Sequence, residues 1–134
     1  MKQVVLEAET TQEAFDRAYQ HMVNQGKQSV TANPNSVRCC YDGPADTQCA
    51  IGCLISNADD RKMLDKLGLG LRALIHKEIL ATKLPVEFLK SLQNVHDSDL
   101  NWDDDGFGAY GHVSMDNLAR KWGFVYTQPT RKKA

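Results

Sequence analysis

A cysteine, a histidine and an aspartate occur in this chain in the order found in several cysteine hydrolases: Cys49, His96 and Asp97. Nucleophilic cysteine catalysis needs a thiolate, a base that removes or holds its proton, and often a carboxylate that orients the base. The order therefore predicts a cysteine-dependent hydrolase or transferase with these three catalytic residues. Their spacing speaks against it, because neighbouring side chains on a helix point about 100° apart. We therefore expect that Asp97 cannot easily orient the His96 ring.

The four cysteines offer a second kind of chemistry, a zinc site built from Cys39, Cys40, Cys49 and Cys53. Three thiolates and a histidine could complete a tetrahedron around the ion. However, the spacing Cys-Cys-x8-Cys-x3-Cys is not that of the usual paired Cys-x2-Cys knuckles. Reduced thiols without a metal or any other cofactor are therefore the favoured interpretation.

Residues 98–112 are acidic, aromatic and glycine-rich at once, and they are expected to form a loop. A loop of this length in a small domain is usually functional or mobile. Aromatic anchors in an acidic rim suit the capture of a basic protein surface. The alternative is that the rings fold back onto the core and the carboxylates only solubilise the loop. The predicted partner-binding residues are Trp102, Asp103, Asp104, Asp105, Phe107 and Tyr110.

The stretch Cys49–Ile55 is the densest apolar run in the chain, and it lies between a Gly-Pro turn and a polar segment. This pattern predicts a buried element at the centre of the core. Over seven residues, periodicity does not separate a strand from a helix. A helix is favoured because Thr47 could cap it and because Cys49 and Cys53 would share a face. Gly52 would allow a neighbouring backbone to come close.

Helix signals dominate the rest of the chain. Thr10 and Glu13 fit a capping box, an apolar face at helical spacing follows, and Gly26 ends it. Further helices are predicted from Asp59 or Asp60 to Gly68, over residues 71–80, from Pro85 to His96, and from Ser114 to Trp122. Short strands are predicted at residues 3–8, 36–41 and 124–127, the last pairing with the first. The expected fold is mainly α with a small β element (α+β), with five or six helices and two to four short strands. Residues 1–128 should form one domain and residues 129–134 a basic, solvated tail.

Length and composition limit the classes of function. The 134 residues are 42% hydrophobic and 25% charged, with a formal net charge of −1, which is typical of a globular domain. So small a net charge gives no general attraction to nucleic acid or to an anionic membrane. Neither a signal peptide nor a membrane-spanning stretch is recognisable in the sequence. We therefore expect a cytoplasmic protein without a membrane partner.

Several motifs in order resemble those of a group of small uncharacterised proteins of phages and bacteria. They are Gln25-Gly26-Lys27, then Cys-Ala-Ile-Gly-Cys-Leu-Ile at 49–55, then Leu-Gln-Asn-Val-His-Asp at 92–97, then Trp122-Gly123-Phe124. The resemblance implies a compact, mostly helical intracellular domain encoded by a phage, and it transfers no catalytic residue. The first hypothesis is a phage- or mobile-element-type protein that binds and modulates, or inhibits, a host protein through the acidic aromatic loop. The alternative is the cysteine-dependent enzyme.

Overall fold

The computed structural model describes residues 3–30 and 40–132, and within them it confirms the predicted α+β fold with five α-helices and two two-stranded sheets. The helices are α1 (Thr11–Gln25), α2 (Ala58–Leu67), α3 (Leu71–His76), α4 (Val86–Asp97) and α5 (Ala109–Trp122). The strands are β1 (Val4–Val5), β2 (Leu80–Ala81), β3 (Trp102–Asp103) and β4 (Gly106–Phe107). Short 3-10 turns occur at Pro44–Asp46, Gly52–Leu54 and Asp99–Asn101. In the described part of the chain no helix is long and apolar enough to cross a bilayer.

Helix α1 begins and ends where the sequence predicts. The Thr10 hydroxyl accepts a hydrogen bond from the Glu13 amide at 3.1 Å, and the Glu13 carboxylate accepts one from the Glu9 amide. Gly26 closes the helix in the left-handed conformation, with φ of 77°. The face of α1 that carries Phe15 and Tyr19 is buried in the core. The capping box and the apolar spacing thus place α1 against the other elements.

The strands pair differently from the prediction. β1 runs parallel to β2, with Val4 opposite Leu80. The prediction of a strand at 124–127 is wrong: this segment is irregular and extended, and β1 has β2 as its partner. The predicted strand at 36–41 lies mostly outside the described residues. β3 and β4 form a tight antiparallel hairpin, with Trp102 opposite Phe107, so the predicted acidic loop has regular structure of its own.

Helix α5 begins at Ala109, five residues before the predicted cap at Ser114. The glycines near its start indicate a loop by sequence, but Gly111 lies inside the first turn of the helix. A Cβ atom there would lie 2.5 Å from the Phe107 ring, so the glycine makes room for that ring. Helix α3 also ends early, at His76, and Leu80 belongs to β2. Both differences come from tertiary contacts that outweigh local propensity.

The Cys49–Ile55 stretch is buried, as predicted, but it is not the favoured helix. The Cys53 amide donates to the Cys49 carbonyl at 3.1 Å, and only one 3-10 turn follows before Ile55 adopts an extended conformation. Thr47 does not cap it; its hydroxyl donates instead to the Pro44 carbonyl at 2.8 Å. Six of the seven residues are buried, and Cys53 is half-buried. The stretch therefore serves as a core element on which α1 packs.

The last described residues lie along α1. The amide side chains of Gln20 and Asn24 bind the main chain of Thr130 and Lys132 at 2.9 and 2.8 Å. The described part of the predicted basic tail, residues 129–132, thus contacts the domain.

Candidate functional site

The Cys49 thiol lies in the core, with only 1% of the residue exposed. Its sulfur accepts a hydrogen bond from the Gly52 amide at 3.3 Å. Burial raises the pKa of the thiol to about 12, so at neutral pH it stays protonated. A protonated, inaccessible thiol is a poor nucleophile, because the thiolate is the reactive species.

His96 is fully buried, and both of its ring nitrogens are engaged. Nε2 lies 3.1 Å from the Ser29 amide, and a backbone amide can only donate, so Nε2 is the unprotonated nitrogen. Nδ1 therefore carries the proton and donates it to Asp97 Oδ1 at 3.1 Å. The expectation that Asp97 would not orient this ring is wrong, because the Asp97 carboxylate lies within hydrogen-bond distance of Nδ1 at the C-terminal end of α4. No ring nitrogen remains for Cys49, so this geometry does not support nucleophilic catalysis.

Native thiol chemistry tests this arrangement. We expect iodoacetamide to modify Cys49 of the folded protein near neutral pH at least about a hundredfold more slowly than an exposed thiol, because the buried thiol is protonated and inaccessible. Peptide mass spectrometry after timed labelling measures the rate. A cysteine placed at Val125, where 87% of the residue is exposed, is a matched control that should label quickly. Rapid labelling of native Cys49 would revive the enzyme hypothesis.

The remaining cysteines do not assemble a metal site in the described part of the chain. Cys40 is buried, while Cys53 is half-buried and donates to the Ala50 carbonyl at 3.1 Å. Burial also raises the pKa of Cys53. Residues 3–30 and 40–132 contain no group of three or more histidine, cysteine or carboxylate side chains that could hold a metal ion. Cys39 lies outside the described residues.

Two aromatic residues of the 98–112 segment point inward. The Trp102 indole donates to the His96 carbonyl at 2.9 Å, and its ring meets the His96 ring edge-to-face at 5.7 Å. The Phe107 ring packs on Trp102 at 5.2 Å and on Tyr19 at 6.0 Å. Both residues are only half-buried, yet these contacts fix the hairpin to the core. Their structural role is therefore to hold the segment in place.

Other residues of the segment face the solvent. Tyr110 is 72% exposed, and Asp103, Asp104 and Asp105 are exposed at the hairpin turn. The Asp103 carboxylate accepts a hydrogen bond from the Asp105 amide at 2.9 Å, which closes the turn. Of the six predicted partner-binding residues, four are thus available at the surface and two position them.

Sequence reasoning missed two further exposed apolar side chains, Leu100 within the segment and Val113 directly after it, at 78% and 58% exposure. Val113 follows Tyr110 by three residues on α5, so the two share one face. An isolated leucine between aspartates at 99 and 103 is the sequence signal that could have indicated Leu100.

Asn101 brings these residues to the same end of the molecule. It is buried, and its carbonyl accepts from the Gly108 amide at 2.8 Å. Its side chain donates to the Val95 carbonyl at 2.8 Å and accepts from the Ser114 hydroxyl at 3.3 Å. The turn that carries Leu100 is thereby fastened to the start of α5. We call the resulting surface the acidic face, and it comprises Leu100, Tyr110, Val113, Asp97, Asp99, Asp103, Asp104 and Asp105.

Comparisons of the chain with protein-family models, curated proteins and solved structures found no match.

Proposed function

We propose that this chain is a small intracellular protein of phage or mobile-element type that binds a host protein through the acidic face and modulates it, most simply by inhibition. The observation that carries the proposal is the exposure of Tyr110, Leu100 and Val113 beside five carboxylates on an anchored scaffold. The resemblance of its motifs to those of small phage and bacterial proteins supports the phage type.

The composition of the acidic face suits protein binding. Exposed apolar side chains next to a polar rim are typical of interaction sites, and tyrosine is enriched among the residues that dominate binding energy. The surrounding aspartates would steer a basic partner surface and exclude acidic ones. Since Asn101 and the inward rings hold the segment already, binding would require little further ordering, which lowers its entropic cost.

A pull-down from a lysate of the natural host, read by mass spectrometry, tests the proposal. The wild-type chain should retain one partner with a basic surface, and retention should weaken with salt because exposed charges are screened. Combining Leu100→Ala with Tyr110→Ala should reduce retention at least about tenfold, since truncating central anchors typically costs about 2 kcal/mol or more.

Two surface variants away from the acidic face serve as controls. Val125→Ala removes another exposed apolar side chain, and Asp59→Asn removes an exposed carboxylate from the first turn of α2. Both should retain the partner fully. Equal retention by wild type and by the Leu100/Tyr110 variant would refute the assignment of this surface, and so would the absence of any retained protein.

A further inference from the structure

The C-terminal segment 124–132, which we call the strap, lies across α1 in an extended conformation. Phe124, Tyr126 and Pro129 are partly buried, whereas Val125, Thr127 and Gln128 are exposed. The Tyr126 ring contacts Phe15 at 5.4 Å, and its hydroxyl donates to Asp116 at 2.7 Å. The strap thus resembles a peptide seated on a helix.

Three amide side chains on one face of α1 hold the main chain of the strap. Gln12 pairs with both main-chain groups of Val125: it donates to the carbonyl at 3.0 Å and accepts from the amide at 3.2 Å. Gln20 donates to the Thr130 carbonyl, and Asn24 accepts from the Lys132 amide. The spacing of eight and four residues places the three amides on the same face of the helix.

The end of the strap also complements the end of α1. The Arg131 guanidinium lies against Gly26, which caps the helix. A cation is favoured there by the partial negative charge of the helix C-terminus. The seat on α1 therefore fits this particular segment from Phe124 to Lys132.

The middle of the strap packs on α1 through the Tyr126 ring, while Thr127 and Gln128 are exposed. Between Val125 and Thr130 it spans a cavity of about 600 Å³, whose lining includes Asp16 and Tyr19 of α1. Lifting the strap would uncover Phe15 and Tyr19, which are almost fully buried and contact the Tyr126 ring at 5.4 and 5.8 Å, so an equivalent segment has to cover them again.

The turn between α5 and the strap rests on one residue. Gly123 has φ of 74°, and the amides of Gly123 and Phe124 both donate to the Ala119 carbonyl. The left-handed conformation of Gly123 turns the chain back across α1 of the same molecule. If residue 123 took helical angles instead, α5 would continue and the strap would point away from the molecule.

We propose that the strap is exchanged between two copies of this chain, so that each copy seats its residues 124–132 on α1 of the other. A second copy is the proposed occupant of this site on α1, because it carries the same segment and reproduces each of these contacts. Only the conformation at Gly123 has to change, and exchange of an identical element is a low-cost route to a dimer. The proposal does not depend on the function assigned to the acidic face.

Gly123→Ala tests the exchange. A Cβ atom at this position meets no heavy atom within 4 Å, so the substitution adds no clash and acts through φ alone. Alanine disfavours the left-handed turn of the monomer and favours the continued helix of the dimer. Each of the two substituted residues 123 in the dimer should lower the dimer dissociation constant about tenfold. We therefore expect this constant to fall about 100-fold in total, as measured by sedimentation equilibrium.

Gly68→Ala is the matched control, because Gly68 is also left-handed, with φ of 64°, but leads into α3 and not into the strap. It should strain the chain without raising dimerisation. Cross-linking identifies the exchanged element: a short bis-maleimide should join Asn24→Cys and Lys132→Cys of the Gly123→Ala dimer between two chains. The same pair in the monomer should be joined within one chain, and the single-cysteine variants correct for the native thiols.

A folded Gly123→Ala protein that stays monomeric overturns the proposal, and so does a dimer whose cross-link stays within one chain. If Gly123→Ala does not fold, wild-type protein carrying the two cysteines can be unfolded and refolded at high concentration. A cross-linked dimer then supports exchange, and its absence overturns it.

Discussion

Replacing Gly52 with alanine is expected to lower the free energy of unfolding by about 3 kcal/mol or more, a large share of the roughly 5–15 kcal/mol that holds a domain together. A Cβ atom at this position would lie 2.4 Å from the Tyr41 carbonyl oxygen and 2.9 Å from its Cα atom. Both are main-chain atoms, so no side-chain rotation relieves the clash. The two chain segments must separate or the central stretch must leave the core.

The main chain at Tyr41 is not free to retreat. Its amide donates to one oxygen of the Asp65 carboxylate at 2.8 Å, and the Asp42 amide donates to the other at 2.9 Å. Moving Tyr41 away from Gly52 would break this pair of charge-assisted hydrogen bonds, which are about twice as strong as neutral ones. Strain introduced at Gly52 therefore spreads to α2 instead of relaxing locally.

Urea unfolding followed by circular dichroism measures the effect. Gly70→Ala is the matched control, because a Cβ atom there meets nothing within 4 Å and its φ of −70° suits any residue. This control should change stability by less than about 1 kcal/mol, because alanine restricts the unfolded chain but is a weaker N-cap than glycine for α3. If Gly52→Ala stayed within about 0.5 kcal/mol of wild type, the ordinary range for harmless surface changes, the close approach of the two segments would be disproved.

Gly52 shows which features of the central stretch can be predicted from its sequence. The apolar run predicts a buried stretch, and its glycine predicts a close backbone approach, because both properties depend on residues within the stretch. The conformation of the stretch does not follow in this way. The sequence favours a helix, but the main chain of Tyr41 lies against Gly52 and Ile55 is extended, so a single 3-10 turn results. Contacts with residues outside the stretch decided its shape.

The acidic face was predictable in composition but not in orientation. The sequence indicates a segment that is both acidic and aromatic, and the structure has one. Whether an aromatic ring faces solvent depends on the contacts that neighbouring elements offer. Trp102 contacts the ring and the carbonyl of His96, whereas Tyr110 is 72% exposed. Asn101, which fastens the segment, makes contacts to α4, to Gly108 and to α5 that no local pattern encodes.

His96→Leu is expected to cost about 2–4 kcal/mol of stability, because the ring joins segments that are far apart in sequence. Leucine keeps much of the volume but removes the acceptor at Nε2, and the fully buried Ser29 amide is then left without its partner. An unsatisfied buried donor costs about 1–3 kcal/mol, and the lost edge-to-face contact with Trp102 adds about 0.5–1.5 kcal/mol. Urea unfolding gives the total.

Asp97→Asn tests the contact of His96 Nδ1 independently of the contact of Nε2. The substitution keeps an amide oxygen that can accept from Nδ1–H, and the aspartate side chain is 40% exposed, so the loss should stay below about 1 kcal/mol. Hydrogen exchange adds a local readout: the Ser29 amide should be protected in wild type and in Asp97→Asn, and it should exchange much faster in His96→Leu. Fast exchange at Ser29 in the wild-type protein would contradict the hydrogen bond to Nε2, and with it the assignment of the His96 proton to Nδ1.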